Sequence, residues 1–153
     1  MTSEADNQQK RYNYAEQMQR LSRALRNNFY LEAVFIEYAI IEDRLESALR
    51  HAGAFNPNKQ KTITAKLNKL EKICEEKSGL AQRYFSPELL ASLRSWKDGR
   101  NPLIHELMKQ KLSTAGLEEF ALEGCQLVKA LKSKVGCFNR SIDRRKEHEG
   151  KGL

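Results

Sequence analysis

Residues 29–52 constrain the fold of this chain more than any other stretch. Leu31, Val34, Tyr38, Ile41, Leu45 and Leu49 recur every three or four residues, the interval that lines side chains along one face of an α-helix. Phe29, Ile36 and Ile40 form a second apolar stripe on another side of the same helix. A helix that is apolar on two sides needs two partners. The segment therefore predicts the central helix of a bundle, or a helix that offers its spare face to another subunit. His51 and Gly53 suit its C-terminal end, where a cation and a left-handed residue are both favoured.

The flanking segments carry the same period. A polar helix is predicted from about Gln9 to Asn27, with Tyr14, Met18, Leu21 and Leu25 on one face, and Asn27-Asn28 as a break. Residues 54–60 read as a loop. Thr62 or Thr64 can cap a helix carrying Ile63, Leu67, Leu70 and Ile73, which ends near Ser78-Gly79. Ser86-Pro87-Glu88 starts another: a capping hydroxyl, a proline in the first turn and an acid at the positive dipole end. Leu89, Leu93 and Trp96 follow on its apolar face. At Gly99-Arg100-Asn101-Pro102 the proline disfavours helical geometry at Asn101. One helix is thus predicted to stop at Gly99, with Asn101 capping a new one whose first residue is Pro102. Leu103, Ile104, Leu107 and Met108 give that new helix its apolar face. Ser113 or Thr114 opens a last long helix lined by Leu117, Phe120, Gly124, Leu127, Leu131, Val135 and Phe138.

No strand-like alternation, internal repeat or low-complexity linker interrupts this pattern. The expectation is an all-α, up-and-down bundle of five to six helices in a single domain. Residues 1–8 read as a disordered N-terminus, 9–138 as the bundle and 139–153 as a charged flexible tail. The 153 residues suffice for one core. The N-terminal ten residues are polar, and no run approaches the ~18 apolar residues of a membrane span. The chain reads as cytoplasmic, with no membrane partner. Cys74, Cys125 and Cys137 are odd in number and lack C-x-x-C spacing, which argues against a disulfide framework and a zinc site.

Charge points toward a partner. Lys and Arg number 27 against 20 Asp and Glu, a net +7 that favours anionic partners, nucleic acid first. Against that background, Arg100 and His105 stand five residues apart, with Asn101 directly after the arginine. Their chemistry is coherent for RNA self-cleavage. An imidazole titrating near neutrality exchanges protons with the 2′-OH or the leaving oxygen, and a guanidinium offers a planar fork to phosphate oxygens. Asn101 can orient either the phosphate or His105. Arg44 and His51 are six apart but lack a polar residue after the arginine.

The run R-N-x-x-x-H at residues 100–105 resembles the signature of the HEPN superfamily, where it falls late in a compact helical bundle. The bundle resemblance spans roughly residues 9–138. It implies a metal-independent endoribonuclease without cofactors, with Arg100, Asn101 and His105 catalytic, acting as a homodimer that brings two Arg/His sets to one cleft. It further implies a toxin or phage-defence role and an antitoxin or regulatory partner. The Tyr that one toxin subgroup carries two residues after the motif His is Leu107 here. The alternative is a non-catalytic HEPN-like module that binds RNA, a nucleotide or a partner protein. Lys97, Lys109 and Lys111 are candidates to flank an RNA groove. Glu37 and Arg44, seven apart on one line of the central helix, are candidates to support the site or to form a polar seam. The stripe at Phe29, Ile36 and Ile40 is the candidate dimer face.

Overall fold

A computed structural model describes residues 4–76, 79–109 and 114–151. They form six helices, α1 (Glu4–Arg26), α2 (Tyr30–His51), α3 (Ile63–Glu75), α4 (Leu80–Tyr84), α5 (Pro87–Met108) and α6 (Thr114–Lys151). The protein is an all-α bundle, with no strand among the described residues. None of its helices is long and apolar enough to cross a membrane, among the residues described.

The helix boundaries follow from local chemistry. Asn28 takes a positive φ of 62°, which ends α1 where two asparagines meet, and the Tyr30 hydroxyl donates to its Oδ1 at 2.8 Å. Gly53, at φ 69°, closes α2 with Ala54 N–H returning to the Leu49 carbonyl at 2.9 Å. Of the two threonines that could cap α3, Thr62 does so, its hydroxyl accepting from Ala65 N–H at 3.1 Å. Ser86 accepts from Leu89 N–H at 3.1 Å, with Pro87 in the first turn of α5. The helices run longer than the periodicity implied: α1 starts at Glu4, and α6 continues through residues 139–151, side chains exposed from Asp143 to Gly150. The short α4 carries too few residues for a periodic signal.

α2 is the central helix. It packs on α1, α3 and α6, its contact with α6 being the most extensive in the bundle. Ala33, Val34, Ile41, Leu45, Ala48 and Leu49 are almost completely buried, against Val128, Leu131, Val135 and Phe138 of α6 and Leu67 and Leu70 of α3 within one continuous core. The second stripe is only partly free. Ile40 is buried and Ile36 packs on the core, leaving Phe29 exposed. The expected spare dimer face is therefore smaller than the stripe suggested, because α2 is covered on more than two sides.

The expected break at Pro102 does not occur. α5 runs unbroken from Pro87 to Met108 with Pro102 in its interior. A proline inside a helix loses one hydrogen bond and crowds the carbonyl four residues back, at a cost of ~3 kcal/mol. Packing on both sides holds the helix through it. Leu93 and Trp96 are buried before Pro102 and Leu103 after it, while the proline itself is exposed.

Candidate active site on α5

Arg100 lies one turn beyond Trp96 on α5, on the side that meets α2. Its guanidinium carbon sits 4.2 Å from the Tyr38 ring centroid and 5.1 Å from that of Phe35. Two aromatic faces thus clamp one cation, each such contact worth ~0.5–2 kcal/mol. The Arg100 Nε is buried without a hydrogen-bond partner. Phe35 itself is 45% exposed, so the clamp opens onto solvent.

Trp96 fixes the level of the clamp. It is 2% exposed, its Nε1–H donates to the Phe120 carbonyl at 3.0 Å, and its ring stacks on that of Phe120 at 5.0 Å. Gly99 turns its bare Cα toward the Phe120 ring, and a Cβ on Gly124 would collide with both Trp96 and the Glu37 carboxyl. Small residues at 99 and 124 let α5 and α6 approach closely enough to seat the tryptophan.

His105 stands in the last turn of α5, exposed, where the negative end of the helix dipole favours a cation. Its backbone carbonyl accepts Lys109 N–H at 3.1 Å. On an unbroken helix five residues separate two side chains by about 140° around the axis and about 7.5 Å along it. Within one subunit Arg100 therefore turns toward α2, while His105 points away into solvent. Asn101 is exposed beside them.

The supporting candidates divide. Lys97 is bound to Asp98 at 2.7 Å and to the Thr64 hydroxyl of α3, so its ammonium is already engaged. Lys109 is exposed at the end of α5, and Lys111 lies outside the described residues. Glu37 and Arg44 do not pair. Arg44 binds Asp43 at 2.6 Å and packs over Tyr14 at 5.0 Å. Glu37 is completely buried, neither carboxyl oxygen has a partner, and desolvation pushes its pKa from 4.5 up to about 9. At neutral pH it is an uncharged acid packed among Trp96, Gly124 and Cys125, whose thiol is in turn pushed up mainly by burial.

The sequence reading missed Phe35 as one jaw of the clamp. Phe35 lies off both apolar stripes of α2, and an aromatic out of register with the core is the signal that marks it. Among the described residues no group of three or more His, Cys, Asp or Glu is placed to hold a metal ion. No protein-family profile, curated protein or solved structure matches this chain.

Proposed function

We propose that the protein is a metal-independent endoribonuclease of HEPN type, working as a homodimer in which Arg100 of one subunit and the partner subunit's His105 act on the same phosphodiester. The observation that carries the proposal is the aromatic clamp: a guanidinium held on Tyr38 and Phe35 at a solvent-open edge, on the same helix as an exposed histidine. A clamped guanidinium loses little side-chain freedom when a phosphate binds, which favours it as an anion site. The net charge of +7 supports a polyanionic substrate.

With α5 unbroken, this mechanism needs a second subunit. With the two side chains about 140° apart on one helix, a two-fold axis near the end of α5 is the simplest way to bring an imidazole to a clamped arginine. Exposed Met108, at 79%, and Phe29, at 58%, offer apolar surface for that contact. One His105 takes the proton of the 2′-OH as the oxygen attacks phosphorus. Arg100 neutralises the charge that develops on the non-bridging oxygens. The 5′-oxygen leaves with a proton from the second His105, and a 2′,3′-cyclic phosphate remains. Glu37 supports the site from beneath, its carboxyl filling the space beside Trp96 and Gly124 of α6. The HEPN resemblance extends the proposal to a toxin or phage-defence effector restrained by an antitoxin or regulatory protein.

Purified protein incubated with single-stranded RNA in EDTA should yield cyclic-phosphate ends. His105→Ala and Arg100→Ala should each slow that reaction by ~10²–10⁴-fold. Equal RNA loss with wild type and both variants would sink the proposal. The unbroken α5 also favours a second reading: if no dimer forms, the clamp serves a non-catalytic module that binds RNA, a nucleotide or a partner protein. That reading predicts salt-dependent RNA binding by wild type, weakened by Arg100→Ala and indifferent to His105→Ala, with no turnover.

A further inference from the structure

Almost all of the chain's excess charge sits on one helix. Between residues 129 and 146 of α6 there are seven lysines and arginines against one acid, Asp143. That stretch carries six of the seven net positive charges, and the rest of the chain balances to within one. All seven cations are exposed, and no salt bridge engages any of them among the described residues. Lys132 lies over the Tyr14 ring at 5.0 Å and Arg140 reaches the Cys137 thiol at 3.4 Å, contacts that leave both charges uncompensated.

The cations are also aligned. At about 100° per residue, Lys129, Lys132, Arg140 and Arg144 fall within about 120° of arc, roughly opposite the buried line of Leu131, Val135 and Phe138. They span about 22 Å of helix. Asp143 lies in the same arc, and Glu147 and Glu149 follow beyond Arg144. Like charges three or four residues apart destabilise a helix, and an anionic polymer laid along this face relieves that repulsion. A helix that binds a lipid surface pairs its basic residues with an apolar face free to enter the bilayer. In α6 the apolar face is buried in the core, and no apolar side chain occurs between Asp143 and Gly150. Gly99 meets Phe120, which sets Arg100 close to the level of residue 120. Counted along the helix, the basic face begins about 14 Å and ends about 36 Å from that level.

We infer that the face of α6 carrying Lys129, Lys132, Arg140 and Arg144 is a second RNA contact, which holds the sugar-phosphate backbone of a single strand without reading its sequence. The inference rests on the reading that the protein acts on RNA, and it is tested by binding alone.

A 2′-O-methyl oligonucleotide cannot be cut by 2′-OH attack, so its binding reports this surface whether or not the protein cleaves RNA. Fluorescence anisotropy with a probe of roughly 20 nucleotides compares wild type with two fourfold variants. One carries Lys129→Gln, Lys132→Gln, Arg140→Gln and Arg144→Gln. The other removes the same charge from exposed positions of α1, with Lys10→Gln, Arg11→Gln, Arg20→Gln and Arg23→Gln. Glutamine keeps the helix propensity at all eight positions. The α6 variant should bind roughly tenfold or more weakly and lower the log–log salt slope by about 3, as four lost phosphate contacts on a single strand require. The α1 variant should lose less than about threefold. Equal losses in the two variants would overturn the inference, because net charge alone would then account for binding. So would an α6 variant that binds like wild type. Phosphatidylserine vesicles that hold wild type as tightly as the oligonucleotide does, and release the α6 variant, would overturn it in favour of a membrane. Failure of the nuclease reading looks different: the expected binding results, with no cleavage of ordinary RNA.

Discussion

The two halves of α5 are built by different rules. From Pro87 to Asp98 the helix starts on a capping serine and buries Leu90, Leu93 and Trp96 against α3 and α6. From Gly99 to Met108 it contains a proline, buries only Leu103, and exposes Asn101, His105 and Met108. Buried side chains are concentrated in the first half and the residues of the proposed site in the second. A helix so divided can hold chemistry at its open end because the closed end anchors it, and the proline is tolerated because the anchor tolerates its cost.

The largest effect should come from removing the anchor. Trp96→Ala loses a stacked, hydrogen-bonded core residue and should cost ~3–5 kcal/mol in urea unfolding. A cost below 1 kcal/mol would show that the first half is not the stabilising one. Next in size is Glu37, which lies under the anchor. Its raised pKa means that the fold favours the protonated acid. Its stability is complete below the unfolded value near 4.5, declines as pH rises toward about 9, and levels off beyond. Glu37→Gln carries no such proton, so it should flatten the stability–pH profile and gain up to about 3 kcal/mol at pH 7. Parallel profiles for variant and wild type would show that Glu37 is not held neutral.

Pro102→Ala should act on the second half alone. The proline is exposed, so the change should restore a helical hydrogen bond and raise stability by ~1–3 kcal/mol. A loss of stability would mean that Pro102 packs on something the fold needs. The smallest effect belongs to His105→Ala, expected within about 0.5 kcal/mol of wild type because the residue is exposed. A larger cost would show that His105 serves the fold as the first half of α5 does.

This division also explains what the sequence made legible. Buried helical stripes repeat, so α2, α3 and α6 could be read from period alone, and Ser86-Pro87 announced its own helix. The path through Pro102 could not be read, because the local rule against an internal proline is outweighed by tertiary packing of Trp96 and Leu103. At the site, Arg100 and His105 were visible as residue types at a spacing. Their divergence on one helix and the clamp from Tyr38 and Phe35 depend on how α5 crosses α2, which no local pattern encodes. The burial of Glu37 was similarly hidden, since it requires the gap at Gly124 on a helix 87 positions away.

Subunit mixing tests the two-subunit site most directly. Wild-type protein unfolded and refolded together with an equal amount of His105→Ala should show roughly a quarter of the RNA cleavage of the same total amount of wild type, because only a quarter of the dimers carry both histidines. A fall to one half, with mixed dimers demonstrably formed, would contradict the claim that the two subunits share one site.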